Sequence, residues 1–159
     1  MSDFQAIISV PQSIRAVMDR NRPLASKDSI RLRDCLQYPL ALPTRPYGVR
    51  FLFDQALARL NQALARLNEQ VTPALESDSF EFLRMAVAGS ELITFQIEVG
   101  LAANDEGAPL ISRPIATTDI ASGVLHLGHL RGRVLSVAAA KFATQLAQAL
   151  SDQYDSPPH

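Results

Sequence analysis

Short apolar runs alternate along this chain with longer stretches of helical periodicity, and the alternation predicts its elements. Phe4 to Val10 and Ser13 to Met18 are apolar and partly β-branched, with Pro11 as a break or an edge between them, and read as two crossover strands. Pro23 to Asp28 reads as a loop. Ser29 is placed to cap a short helix from Ile30 to Gln37, which Pro39 stops. Leu40 to Leu42 is a strand, and the turn Thr44 to Gly48 leads into a long helix, Val49 to Asn68. Val71 to Leu75 is a further strand in spite of Pro73. The helix Phe80 to Ala88 is capped by Asp78 or Ser79 and ended by Gly89. Leu92 to Phe95 is a strand, Glu98 to Asn104 a short helix, Ala108 to Ile115 an edge-like extended stretch and Gly123 to Leu130 a strand. Ser136 caps a last helix that runs to Leu150, and a polar, Pro-containing tail predicts disorder over 151–159.

Strands and helices alternating at these lengths predict an α/β fold with a small parallel or mixed sheet flanked by helices. Ligands of open parallel sheets bind beyond the carboxyl ends of the strands. Pro43, Thr44, Arg45, Ser77, Asp78, Ser79, Phe95 and Gln96 are therefore candidate contacts of one small-ligand site. The hydroxyl and N–H of Thr44 suit a carboxylate, although Thr in a Pro-flanked turn also serves as a plain turn residue. Ser77 and Ser79 flank a helix N-terminus, where free N–H groups favour an anion; capping alone is the competing reading. Phe95 reads as core more than as a ligand contact. Gln96 is the polar residue there without a strand role.

The long helix carries a duplication: Gln55-Ala56-Leu57-Ala58-Arg59-Leu60-Asn61 is followed at once by the same seven residues, Gln62 to Asn68. Seven residues are nearly two turns, and the register drifts by only about 20° per heptad. Phe53, Leu57, Leu60, Leu64 and Leu67 stay on one stripe. A lengthened core-facing helix, a seam for a partner helix and a bulged extra copy all fit this pattern.

Composition narrows the function. With 15 basic and 16 acidic side chains the formal net charge is -1, which gives no electrostatic footprint for nucleic acid. The chain has no apolar run of membrane-spanning length and no basic leader at Met1 to Gln5, so a cytoplasmic protein is expected. The single Cys35 forms no intrachain disulfide and reads as an inert buried thiol. His126 and His129, three apart on a strand, point to opposite faces and make a poor metal pair. Asp105 and Glu106 read as a solvated turn, and Glu76 as an orienting carboxylate. Without a phosphate loop, a Ser-His-Asp set or paired carboxylates, neither an enzyme nor a cofactor is expected.

The stretch Arg22-Pro23-Leu24-Ala25, with Ile30 to Leu36, Pro39 to Arg50, Glu76 to Ser79, Val87-Ala88-Gly89, Phe95-Gln96 and Gly132 to Ser136, resembles the effector-binding domain of LysR-type transcriptional regulators. The resemblance runs over roughly Ile8 to Leu150, and the order and spacing of these pieces carry it. It implies a type II periplasmic-binding-protein fold, in which two α/β subdomains close on a small molecule, and it places family ligand contacts at the Pro43-Thr44 position. On that pattern residues 1–150 form a partial effector-binding domain. Residues 12–114 make its second subdomain, and residues 115–150 are the segment that returns to the first. No counterpart of the family's winged helix-turn-helix is seen, so this chain alone is expected not to bind DNA. Two functions follow. One is a module sensing a small organic effector, an anion among the candidates. The other is a truncated, non-sensing interaction protein, or a degraded gene product, that associates with itself or with intact regulators.

Overall fold

A computed structural model describes residues 3–63, 71–101 and 107–154. The chain divides into two compact units, residues 13–123 and residues 1–12 with 124–159.

The larger unit contains β2 (Ile14–Asp19), α1 (Leu32–Cys35), β3 (Ala41–Pro43), α2 (Gly48–Ala63), β4 (Leu75–Ser77), α3 (Phe80–Val87), β5 (Thr94–Ile97) and β6 (Leu110–Pro114), following the longer strand β1 (Phe4–Gln12) of the other unit. β3 and β4 pair in parallel with Pro43 opposite Ser77. A parallel bridge between Leu40 and Ile93, with Ala41 N–H on Ile93 O at 2.9 Å and Ile93 N–H on Pro39 O at 3.0 Å, sets β5 beside β3. β2 then pairs antiparallel with both β5 and β6. The order across the unit is therefore β4-β3-β5-β2-β6, a mixed sheet with β6 at its edge.

β2 is central and flanked on both sides, which is why Ala16, Val17 and Met18 are all buried. On one face Ala16, Met18 and Phe95 pack with Leu42, Phe53 and Ala56, and the Phe53 and Phe95 rings lie 5.1 Å apart. Leu57 and Leu60, in the first copy of the duplicated heptad, pack against this core at its margin. Leu64 and Leu67 lie outside the described residues, as do Ala102 to Glu106.

Several predicted boundaries move. The helix expected over Ile30 to Gln37 is only Leu32–Cys35. Ile30 instead bridges in parallel to Ile115, and Ser29 does not cap. The cap comes from far along the chain: Asp119 accepts the Leu32 N–H at 2.9 Å and grips Arg31 through two bonds of 2.8 and 2.9 Å. The strand expected over Val71 to Leu75 lies at Leu75–Ser77, beyond Pro73, whose missing N–H would have interrupted the ladder. The short helix expected from Glu98 is a single tight turn, Glu98–Gly100. Gly89 ends α3 with φ +70°, the left-handed conformation its position called for.

The smaller unit holds β1, β7 (Gly123–Leu130) and α4 (Val137–Tyr154), with β1 and β7 paired and α4 packed on β1. Pro11 does not end β1; the break falls at Ser13. A Cβ at Gly128 would collide with the Gln5 carbonyl oxygen, so only glycine permits the two strands to approach this closely. Ser136 caps α4, its hydroxyl accepting the Ala139 N–H at 3.2 Å. The helix continues past Leu150 to Tyr154, so residues 151–154, expected as tail, are helical. Residues 155–159 lie outside the described residues. Leu150 is buried, whereas Val124 and Phe142 stand 57% and 65% exposed.

Candidate functional site

The parallel pairing brings the carboxyl ends of β3, β4 and β5 to one end of the sheet. The antiparallel β2 starts at that same end, with Arg15 opposite Gln96. Pro43, Thr44, Ser77 and Ser79 are knit together there by backbone geometry. The Thr44 N–H closes the ladder on Ser77 O at 3.2 Å, and Ser77 Oγ accepts the Ser79 N–H at 3.0 Å.

Ser79 is the N-cap of α3, its hydroxyl oxygen accepting the Phe82 N–H at 3.2 Å, which decides between the two predicted caps. Both seryl oxygens are occupied as acceptors, and both O–H groups remain able to donate. The N–H groups of Phe80 and Glu81, in the first turn of α3, have no acceptor among the described residues. The Thr44 N–H, expected to face a ligand, is spent on the sheet. Its hydroxyl has no partner among the described residues. Arg45 is exposed and forms no ion pair among them, and Asp78 is exposed at the same mouth.

Two candidates have structural work. Phe95 is wholly buried against Phe53 and offers no surface to a ligand. Gln96, expected beyond its strand, lies within β5 and is buried, and its Nε2 donates to Phe80 O at 3.2 Å. This bond pins the start of α3 over the end of β5.

Sequence reasoning passed over three residues here. Arg50, in α2 and only 4% exposed, donates from Nη1 to Pro43 O at 3.1 Å and Glu76 Oε2 at 3.2 Å, and from Nε to Asp54 at 3.0 Å. It fixes the strand end that presents Thr44, and it accounts for the orienting role expected of Glu76. A Pro-Thr turn followed by an Arg on the inward stripe of the next helix is the signal that would have found it. Arg15, whose pKa is lowered chiefly by burial, holds Ser112 through Nε at 3.0 Å and Nη2 at 3.1 Å and is thereby turned toward β6. Glu98 accepts both the N–H of Ser13, at 2.9 Å, and its hydroxyl, anchoring the start of β2. Neither contact is readable from a strand pattern.

Cys35 is buried, and desolvation pushes its thiol up to about 12, so it stays protonated and unreactive. Among the described residues no group of His, Cys, Asp or Glu is arranged to hold a metal, and no helix is long and apolar enough to cross a membrane.

Comparison with known families decides what kind of domain this is. The model of the LysR substrate binding domain matches residues 1–151, nearly the whole chain. The chain belongs to that family. Its fold is the periplasmic-binding-protein-like α/β fold of LysR effector-binding domains, and the matched domain is a binding domain rather than a catalytic one. The effector-binding domain of QuiR, solved in complex with shikimate, is similar with a TM-score of 0.67 at 18% identity, over 95% of this chain and 66% of that one. HinK, a LysR family transcriptional regulator from Pseudomonas aeruginosa, gives 0.64 at 19% identity, over 94% and 49%. The Synechocystis PCC6803 CcmR regulatory domain, in complex with 2-PG, gives 0.60 at 21% identity, over 94% and 67%. This LysR-family chain thus spans between half and two thirds of those solved chains. No curated protein sequence matches it.

Proposed function

We propose that this chain is the effector-sensing part of a LysR-type transcriptional regulator and binds a small organic molecule through an anionic group. The observation that carries this reading is the convergence at one sheet end of the Thr44 hydroxyl and the Phe80 and Glu81 N–H groups of α3 behind Ser77 and Ser79, which have no partner among the described residues. Helix N-termini favour negative charge, and the exposed Arg45 adds a positive one beside Thr44, against the carboxylate of Asp78. Pro43 serves by presenting Thr44. That QuiR and CcmR domains of the same fold are found with shikimate and with 2-PG supports a small acid as the class.

In this reading residues 12–114 are the second subdomain of an effector-binding domain, and residues 115–150 return to the first. The protein works in the cytoplasm, has no cofactor or enzymatic step, and does not bind DNA through this chain. A thermal-shift screen of small carboxylates and phosphorylated acids tests it: a ligand at 100 times its Kd adds about 2.7 kcal/mol of stability. A screen in which no acid shifts the melting temperature, or in which Thr44→Val leaves a shift intact, removes the proposed site.

A second reading has its own observation. Among the described residues of the smaller unit Val10 and Leu150 are the buried apolar side chains, while Val124, Val134, Val137 and Phe142 are exposed. Surfaces of this kind associate, with a second copy or with related regulators, and that role requires no effector. Mixing with a full-length relative and recovering a mixed oligomer is its test.

A further inference from the structure

We infer that Tyr47 is a specificity-determining residue of the proposed site and that it selects acids carrying a ring. The inference rests on the anion-site reading of Thr44 and Ser79. Tyr47 closes the turn that presents Thr44, its N–H donating to Thr44 O at 3.2 Å. Its ring meets Phe80, the first residue of α3, edge to face, with centroids 5.2 Å apart and planes at 79°. The same Phe80 carries one of the open N–H groups and takes the Gln96 bond through its carbonyl. One aromatic pair therefore touches both polar halves of the site.

The pair is not core in the way that Phe53 and Phe95 are. Tyr47 is 38% exposed, its phenol has no hydrogen-bond partner among the described residues, and Phe80 is half-buried. With that exposure part of the Tyr47 ring remains open to solvent, and other rings pack favourably against an aromatic ring. Ligand sites are mostly apolar walls with a few placed donors. Here the donors would take the carboxylate and the Tyr47 face the ring, whereas an acid with no ring leaves that face wet.

Benzoate and acetate share the carboxylate and differ in the ring, which makes them the probes. Each is titrated into the full chain and followed by backbone amide chemical shifts, for the wild type, Tyr47→Ala, Tyr47→Phe and Thr44→Val. The expected result is that benzoate binds about tenfold more tightly than acetate, the scale of one aromatic contact. Tyr47→Ala should abolish that preference, and Tyr47→Phe should restore it. If Thr44→Val weakens both acids equally but Tyr47→Ala keeps the preference, the ring inference alone is wrong. Equal affinity of the two acids for the wild type overturns it as well. If neither acid binds, or Thr44→Val affects neither, the anion site itself fails and the inference falls with it. A Tyr47 that only braces the turn would lower the melting temperature in the alanine variant and leave the benzoate-to-acetate ratio unmoved.

Discussion

The backbone N–H of Thr44 donates to the carbonyl oxygen of Ser77 across 3.2 Å, joining the ends of β3 and β4 at the point where both strands open into loops. The bond holds the Thr44 hydroxyl, which has no partner among the described residues, beside the Ser77-to-Ser79 turn. Thr44→Val keeps the N–H and removes the hydroxyl, so stability should hold while affinity for an anionic ligand falls. A lost hydrogen bond to a charged group is worth about 1.5 to 3 kcal/mol. Ser79→Ala removes a donor and a cap together, so it should also destabilise by about 1 kcal/mol. Titration and urea unfolding of both variants separate the two effects.

Arg50 is the buried brace of that strand end. Arg50→Ala strands the Pro43 carbonyl without its donor and should destabilise by about 2 to 3 kcal/mol. Glu76→Gln, at a side chain 44% exposed, should change stability by less than about 1 kcal/mol. Equal effects in urea unfolding would show that the ion pair, not the carbonyl contact, is what Arg50 supplies.

Asp119 joins distant parts of the larger unit by capping Leu32 and gripping Arg31. The Arg31 hydrogen bond, followed by the Leu32 N–H, holds its carboxyl below the ordinary carboxylate range against the opposing effect of burial. A carboxyl with a lowered folded pKa stabilises fully above its unfolded pKa of about 3.9 and loses that contribution as pH falls through the folded value. Asp119→Asn should therefore destabilise by about 1 to 2 kcal/mol at pH 7. The difference from wild type should shrink in the acid range below about pH 4. Urea unfolding of both proteins across that range checks it.

The Phe53 and Phe95 pair at the centre of the larger unit predicts a contrast within one helix. Phe53→Ala should cost about 3 to 5 kcal/mol, as for a large core ring lost. Phe51→Ser, two residues away but largely exposed, should stay within about 0.5 kcal/mol. Similar midpoint shifts for the two variants in denaturant would contradict the orientation of α2.

Exposed Val124, Val134, Val137 and Phe142 in the smaller unit predict self-association. Sedimentation equilibrium at micromolar concentration should return a mass above the 17.4 kDa of one chain. An ideal monomer would show that this surface needs no partner. Phe142→Lys should shift the equilibrium toward monomer.

The sequence by itself determined the class of fold and, at several positions, where strands, turns and caps fall. Those features are local: Pro39 has no backbone donor to continue a helix, Gly89 takes a positive φ, and Ser79 offers an oxygen three residues ahead of the Phe82 N–H. The resemblance in order and spacing reached the right family for the same reason, since loops beyond strand ends leave short marks. What only the tertiary structure decided is which polar groups remain available. Thr44 loses its N–H to Ser77, Gln96 loses its amide to Phe80, and Phe95 disappears against Phe53, each through a partner at least 15 residues away along the chain. The antiparallel placement of β2 against β5, and the capping of α1 by Asp119 rather than Ser29, have the same origin. Hydrogen-bond donors and acceptors in a protein interior are assigned by what the fold brings within about 3 Å, and sequence separation carries no information about that distance.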